Sequence, residues 1–258
     1  MEISLNGKAA IVTGGSKGIG QAIATRFAEA GADVFIVARG REALADAAKT
    51  IGSNSRGRIA AISADVSDAA DVKRAYDEAM QAFGKVDILV NNAGTSRRSA
   101  FEEITDEIWQ EDLDLKLFAA IRFTRLAWPQ MKERRWGRVI NVLNIGAKAP
   151  RPASAPTSVT RAAGMALTKV LAGEGASHNV LVNAMLVGTI ASDQWRRAAE
   201  KAGVPLKEYL DNMGKEVPLG RVGRAEEFAN LACFLASDAA SYVTGTAINV
   251  DGGRSPIV

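Results

Sequence analysis

A glycine-rich segment near the start of the chain has residue types and spacing suited to binding a phosphate group. It reads Thr13-Gly14-Gly15-Ser16-Lys17-Gly18-Ile19-Gly20, with an apolar run before it and an amphipathic stretch after it. This order predicts a strand, a tight turn and a helix whose first N–H groups can bind an anion. Gly14 lets the chain turn, Gly18 lets the backbone approach a pyrophosphate, and Gly20 lets helix and strand pack closely. A purely structural turn is the alternative, and the flanking elements favour the phosphate site.

Seven short β-type runs alternate with helical segments along the chain. The runs are Ala9–Val12, Val34–Ala38, Ile59–Ser63, Ile88–Val90, Val139–Leu143, Leu181–Met185 and Ala247–Val250. Strands that alternate with helices pair in parallel, and nearly continuous apolar strands are covered by helices on both faces. We therefore predict an α/β fold, in which residues 1–258 form one Rossmann domain with a doubly wound, seven-stranded parallel sheet. In such sheets ligands bind at the carboxyl ends of the strands.

Further motifs follow the predicted strands. The third strand is followed by Asp65-Val66, the fourth by Asn91-Asn92-Ala93-Gly94, and Val243-Thr244-Gly245 precedes a last strand that ends near Asp251-Gly252-Gly253. With these motifs and the T-G-x-x-x-G-x-G spacing of the first turn, the chain resembles the short-chain dehydrogenase/reductase family over nearly its whole length.

The resemblance implies a nicotinamide dinucleotide cofactor bound along the strand ends. The implied cofactor-binding residues are Gly14, Ser16, Lys17, Gly18, Ile19, Gly20, Arg39, Asp65, Val66, Asn91, Ala93, Gly94, Arg161, Gly188 and Ile190. The family places the Asp-Val pair beside the adenine. For Asn91, direct cofactor contact and a strand-end role that satisfies backbone groups both remain open.

The residues after the second strand favour NADP(H) over NAD(H). An NAD site usually has Asp or Glu about 20 residues beyond the glycines, where it binds the ribose hydroxyls. Here the positions hold Ala38 and Arg39. A guanidinium can pair with a 2′-phosphate that a carboxylate repels, and Lys17 adds a second positive charge.

The proton-transfer residues implied by the family are all replaced. The family uses an Asn, a Ser and a Tyr-x-x-x-Lys pair, in which the phenol donates a proton and the lysine lowers its pKa and holds the ribose. Their positions are occupied by Lys116, Asn144, Thr157 and Arg161, respectively. The thirteen-residue step from Asn144 to Thr157 and the four-residue step to Arg161 match the family's spacing, so a misalignment does not explain the replacements.

These replacements change the chemistry that the site can perform. Thr157 is a far weaker acid than a phenol with a pKa of about 10, and Arg161 can bond ribose hydroxyls but cannot readily release a proton. Lys116 is either a desolvated ammonium suited to acid chemistry or a helix lysine bonded to neighbouring backbone. Asn144 can polarise a carbonyl, and Lys148 is a further candidate electrophile.

A helical insertion at about residues 188–222 is predicted to be a lid. It follows a strand end and contains Trp195, Tyr209 and Met213, of which Tyr209 is the one phenol expected to approach a substrate. A long segment at this position closes over substrate in the resembled family. A helical pair packed permanently on the domain is the alternative.

The chain is therefore interpreted as an NADP(H)-dependent oxidoreductase with a nonstandard active site. Its expected substrate is a small, partly hydrophobic carbonyl, enone or imine compound. One alternative is a catalytically inactive NADP(H)-binding sensor or partner protein. A weaker alternative is a non-redox lyase or hydrolase, against which the intact glycine turn argues.

Composition excludes several other classes. The net charge is +3, and the one dense basic group, Lys132 to Arg138, is short, so no nucleic-acid partner is expected. The chain has one cysteine, Cys233, within an apolar helical stretch, which indicates a buried thiol and a cytoplasmic location. No signal peptide and no apolar run of about 20 residues is found, so no membrane association is expected. A single histidine, His178, cannot build a metal site.

The resemblance also implies self-association. We predict a homotetramer, or a homodimer, formed through two long helices at about Asp106–Arg134 and Thr157–Ser177 and through the C-terminal strand. A face of small residues containing Ala162, Ala166 and Val170 permits close helix contact.

Overall fold

Seven parallel strands form one sheet in the computed structural model, which describes residues 3–53 and 55–258. The strands are β1 (Ala9–Thr13), β2 (Asp33–Ala38), β3 (Ile59–Ser63), β4 (Ile88–Asn91), β5 (Gly137–Asn144), β6 (Val180–Val187) and β7 (Ala247–Val250). Their order is β3-β2-β1-β4-β5-β6-β7, so the chain reverses its direction of travel across the sheet between β1 and β4. The reversal opens a crevice at the carboxyl ends of these two strands. The predicted doubly wound sheet is confirmed.

Helices cover both faces of this sheet. They are α1 (Gly18–Glu29), α2 (Arg41–Gly52), α3 (Ala69–Phe83), α4 (Asp106–Leu113), α5 (Ala119–Glu133), α6 (Thr157–Gly175), α7 (Asp193–Ala202), α8 (Leu206–Gly214) and α9 (Ala225–Ala236). Adjacent strand residues enter different cores: Val12 packs with Phe27 and Phe228 on one face, and Ile11 packs with Phe123 on the other. Because both faces are buried, the strands are apolar at nearly every position.

The prediction of a single long helix over Asp106–Arg134 is wrong. A π-helical segment, Asp114–Phe118, separates α4 from α5, and its characteristic bond runs from the N–H of Ala119 to the carbonyl of Asp114, five residues earlier. Helical periodicity alone does not reveal one widened turn. The second predicted helix, Thr157–Ser177, ends as α6 at Gly175 and continues as a 3₁₀ turn.

The insertion between β6 and β7 begins with the helical pair α7 and α8. Ile190 forms an isolated parallel bridge with Gly223, and the indole nitrogen of Trp195 donates a hydrogen bond to the carbonyl of Ile190 at 2.9 Å. Cys233 is fully buried on α9, as predicted. Within residues 3–53 and 55–258, no helix is both long and apolar enough to span a bilayer.

Candidate active site

The carboxyl edge of the sheet brings the predicted site residues together. Gly14, Ser16 and Lys17 form the turn after β1, and Gly18, Ile19 and Gly20 begin α1. Arg39 follows β2, Asp65 and Val66 follow β3, Asn91 ends β4 with Ala93 and Gly94 after it, Asn144 ends β5, and Gly188 and Ile190 follow β6. Lys116 lies in the π-helical segment, and Thr157 and Arg161 lie in the first turns of α6.

The glycine turn has the backbone geometry of an anion site. Gly14 and Gly18 adopt φ values of +67° and +54°, a region that side-chain-bearing residues rarely occupy. A Cβ on Gly20 would lie 2.2 Å from the carbonyl oxygen of Gly14. The first turn of α1 contains no acidic residue, and Lys17, which precedes it, does not cap the helix with its side chain. The start of α1 therefore presents free N–H groups and the positive end of the helix dipole to the turn. A pyrophosphate can accept hydrogen bonds from these groups, and its negative charge is favoured by the dipole.

Thr13, which the sequence reasoning did not single out, anchors the segment after β4 to the glycine turn. Its hydroxyl oxygen accepts the backbone N–H groups of Asn92 and Ala93, both at 3.0 Å, and its hydroxyl donates to the carbonyl of Val90 at 3.2 Å. The side-chain amide of Asn92 donates to the carbonyl of Thr13 at 2.8 Å. These bonds hold Ala93 and Gly94 beside the glycine turn.

Asn91 takes part in a polar ladder across the sheet. Its buried side-chain amide donates to Oδ1 of Asn141 at 2.9 Å, and the amide of Asn141 donates to the hydroxyl of Thr168 at 2.9 Å. The ladder joins β4, β5 and α6, which is a structural role at the strand end. Direct contact between Asn91 and a cofactor remains a prediction.

The region after β2 is exposed and positively charged. Nη1 of Arg39 lies 3.8 Å from a carboxylate oxygen of Asp65, and the two side chains are 68% and 40% exposed. Exposed pairs of this kind contribute about 0–1 kcal/mol, so little energy opposes a move of Arg39 toward a bound phosphate. Arg39 and Asp65 thus lie side by side where the adenosine end of a dinucleotide is expected.

Lys116 forms a sealed charge cluster. Its ammonium donates to Oδ1 of Asp112 and, at 2.7 Å, to the hydroxyl oxygen of Thr157; the hydroxyl of Thr160 donates to Oδ2 of Asp112 at 2.8 Å. The side chains of Lys116 and Asp112 are 0% and 1% exposed. Burial lowers the pKa of Lys116 to about 8, although Asp112 acts in the opposite direction. Lys116 thus bonds two side chains rather than neighbouring backbone, and its suitability for acid chemistry remains a prediction.

The hydroxyl of Thr157 is fixed from two sides. Its oxygen accepts the ammonium of Lys116 and, at 3.0 Å, the backbone N–H of Arg97 from the loop after β4. A hydroxyl accepts two hydrogen bonds and donates one. Both acceptor sites of Thr157 are filled, and no acceptor for its own hydrogen occurs among residues 3–53 and 55–258. The group is therefore available to donate only.

Arg161 lies against the open backbone of Gly94. A Cβ on Gly94 would approach Nη2 of Arg161 to 2.5 Å, so a larger residue here would force the guanidinium to shift. Nη1 donates to the carbonyl of Val142 at 2.9 Å, whereas Nε is buried with no partner among the described residues. Burial lowers the pKa of Arg161 to about 10, and Asp112 opposes the shift. Its remaining donors can hold ribose hydroxyls.

Asn144 and Lys148 differ in their hydrogen bonding. Oδ1 of Asn144 is buried and has no hydrogen-bond partner in the part of the chain that the structure describes, so it can accept from a ligand. The ammonium of Lys148 instead donates to the carbonyl of Ala247 at 2.7 Å, at the start of β7. This bond holds the ammonium against the first residue of β7, and a role for Lys148 as an electrophile remains a prediction.

Asp112, Thr160 and Arg97 complete the cluster and were missed from the sequence. Asp112 and Lys116 are four residues apart, a spacing that places side chains on one helix face and was a usable signal. Arg97 gave no signal, because it acts through its backbone N–H, and its side chain pairs with Glu111 at 2.6 Å.

Comparison with known proteins places these features in context. The family model described as enoyl-(acyl carrier protein) reductase matches residues 14–255. The 3-oxoacyl-[acyl-carrier-protein] reductase of Aquifex aeolicus is 35% identical over 98% of this chain and 99% of its own.

Two solved structures share the whole architecture. The L-sorbose reductase from Gluconobacter frateurii, complexed with NADPH and L-sorbose, has a TM-score of 0.95 at 35% identity, and the match covers 100% of each chain. An NADPH-bound short chain oxidoreductase from Pseudomonas aeruginosa PAO1, described as containing an atypical catalytic center, has a TM-score of 0.92 at 38% identity and covers 99% of both chains.

Proposed function

Since the chain belongs to the short-chain dehydrogenase/reductase family, we propose that it is an NADP(H)-dependent oxidoreductase with a nonstandard active site. Its proposed substrate is a small, partly hydrophobic carbonyl, enone or imine compound. The observation that carries the proposal is the combination of an intact glycine turn with a buried Lys116–Thr157 contact at the positions of the family's proton-transfer residues.

The cofactor half of the site retains its binding features. The glycine turn and the start of α1 would hold the pyrophosphate, Arg39 and Lys17 the 2′-phosphate, and Arg161 the nicotinamide ribose. The NADPH bound in the similar Gluconobacter and Pseudomonas proteins supports this assignment. When bound, the reduced cofactor supplies a hydride to the substrate.

The residues at the proposed proton-transfer positions differ from those of the family. A threonine side chain is shorter than a tyrosine side chain and its hydroxyl is a weaker acid, so Thr157 cannot take over the phenol's role by itself. The buried ammonium of Lys116 contacts the Thr157 hydroxyl directly, and Arg161 keeps a positive charge at the position of the family's lysine on α6. Asn144 supplies a side-chain amide at the end of β5 that can bind a substrate oxygen or nitrogen.

The expected substrate class follows from the groups at the cleft. Conjugated C=C bonds and imines accept a hydride with less help from a strong acid than ketones do, and some relatives of the resembled family reduce dienoyl thioesters without the tyrosine. Trp195 and Met213 are partly buried on α7 and α8, beyond the end of β6. If these helices close over the cleft, their apolar side chains favour a partly hydrophobic substrate.

A panel of carbonyl, enone, imine and alcohol substrates, assayed with NADPH or NADP⁺, tests the proposed function. We expect weak turnover of ordinary ketones, because a positioned general acid contributes about 10²- to 10⁴-fold. The comparison variant combines the family's residues at four positions: Lys116→Asn, Asn144→Ser, Thr157→Tyr and Arg161→Lys. Ketone turnover that rises in this variant supports the assignment. Robust wild-type turnover that Lys116→Ala and Asn144→Ala leave unchanged refutes it.

A noncatalytic NADP(H)-binding sensor or partner protein is the second candidate function. The complete burial of Lys116 and Asp112 favours it, since this cluster has structural value without any substrate. Binding of NADPH together with no turnover across the panel would support this candidate. A lyase or hydrolase is a weaker third possibility, because such chemistry does not require the intact glycine turn.

We further propose that the protein is a cytoplasmic homotetramer or homodimer. The face of α6 that contains Ala162 and Ala166 also carries two exposed valines, Val159 and Val170, which are 54% and 57% exposed. Exposed apolar side chains on one helix face are suited to contact with a second copy of the chain.

A further inference from the structure

We propose that Asp112 is the positioning residue of the proposed active site: it holds the Lys116 ammonium against Thr157 and thereby makes the Thr157 hydroxyl the proton donor. This inference rests on the proposed function. Asp112 bonds the ammonium through one carboxylate oxygen and the hydroxyl of Thr160 through the other. Both oxygens are therefore used, and the carboxylate has a defined orientation.

The orientation of Lys116 follows from that of Asp112. Asp112 lies at the end of α4 and Lys116 lies in the π-helical segment one turn later, whereas Thr157 and Thr160 begin α6. The carboxylate thus joins α4 to α6 and directs the ammonium to the hydroxyl oxygen 2.7 Å away. A lysine without such a partner retains several rotamers, and burial favours its neutral form.

The charges around Lys116 make Asp112 indispensable for a protonated lysine. Arg161 from α6 and Arg97 from the loop after β4 both disfavour the ammonium, and Asp112 is the acidic group that opposes them. The side chain of Arg97 is itself paired with Glu111. Removal of the Asp112 charge leaves Lys116 buried between positive groups, so the lysine is expected to lose its proton.

A protonated Lys116 determines whether the Thr157 hydroxyl accepts or donates a hydrogen bond toward a further group. The oxygen accepts hydrogen bonds from Lys116 and from the N–H of Arg97, so its hydrogen is directed toward a third group. In the reduction of a carbonyl, the carbon receives a hydride from a reduced nicotinamide dinucleotide and the oxygen receives the Thr157 proton. The threonine oxygen then takes a proton from Lys116, which is left as a neutral amine and must regain a proton before the next turnover. Asp112 keeps its charge throughout.

Titration of Lys116 in the full-length protein tests this assignment without requiring turnover. NMR of the protein with ¹³C,¹⁵N-labelled lysine follows the side-chain signal, which is identified by its absence in Lys116→Met. In Asp112→Asn we expect this signal to titrate at least about one pH unit lower than in the wild type. Asp112→Glu retains the charge and is expected to titrate closer to the wild type. Asp106→Asn, an exposed acid on the same helix, is the matched control and is expected to cause no shift.

A second variant protects the test against misfolding of Asp112→Asn. Thr160→Val keeps both charges but frees one carboxylate oxygen, and we expect a smaller shift in the same direction. Equal titration of Lys116 in the wild type, Asp112→Asn and Thr160→Val overturns the proposal. NADPH binding, measured by fluorescence, separates a failure of the proposed oxidoreductase function from a failure of the positioning role of Asp112. A wild type that does not bind NADPH but shows the lysine shift contradicts the proposed function and leaves the positioning role of Asp112 intact.

Discussion

Raising the pH from 8 to 10.5 is expected to stabilise the protein through the discharge of Lys116. Burial lowers the pKa of this lysine from 10.5 to about 8 in the folded chain. Between these values the unfolded chain holds a proton that the folded chain has released, so the free energy of unfolding rises with pH. At about 1.36 kcal/mol for each pH unit, the free energy of unfolding rises by about 3 kcal/mol in total. This gain is absent below pH 8.

The effect can be isolated by comparison with a variant that lacks both charges. The reference is Asp112→Leu with Lys116→Met, because replacement of a buried ion pair by apolar residues is often neutral or stabilising, whereas removal of one partner costs about 3–5 kcal/mol. Urea unfolding at pH 7.5 and at pH 10 gives the free energy for both proteins. We expect the wild type to gain about 2 kcal/mol relative to the reference over this interval. A difference that stays constant within about 0.5 kcal/mol would refute the claim that the lysine is desolvated.

Three further predictions concern the cofactor and assembly. Calorimetry is expected to show about 10-fold tighter binding of NADPH than of NADH, roughly 1.4 kcal/mol, and Arg39→Asp is expected to reverse the preference; equal affinities in the wild type contradict it. Gly20→Ala is expected to weaken NADPH binding at least ~10-fold, because its Cβ would lie 2.2 Å from the carbonyl oxygen of Gly14. Gly52→Ala, where a Cβ meets nothing within 4 Å, is the control and is expected to bind normally. Light scattering is expected to report a homotetramer, and a monomer at micromolar concentration rules that out.

The sheet and the glycine turn could be predicted from the sequence because their causes are local. Apolar runs separated by helical segments are a property of neighbouring residues, and a doubly wound sheet satisfies the burial that they require. The need for glycine at Gly14 and Gly18 follows from the positive φ of a tight turn. Motif spacing also pointed to Lys116, Asn144 and Thr157 as candidate site residues, and the structure brings Lys116 and Thr157 into contact.

The bonds that hold the site together were not visible, because they join residues that are distant in the chain. The hydroxyl of Thr13 accepts the N–H of Asn92 across 79 positions, and Lys116 meets Thr157 across 41. The family resemblance predicted one helix over Asp106–Arg134, whereas the structure has a widened turn within it, where α4 packs against α6. The direction of Lys148 was likewise decided by a partner 99 residues away.

The sequence by itself therefore determined the fold, the glycine turn and the types of residue at the candidate site. Only the tertiary structure decided which of those residues contact one another and how their charges interact. A buried lysine is either a costly isolated charge or half of a satisfied ion pair, depending on what surrounds it. For Lys116 the partners are Asp112 and Thr157, which a helix turn and a second helix bring to the same point.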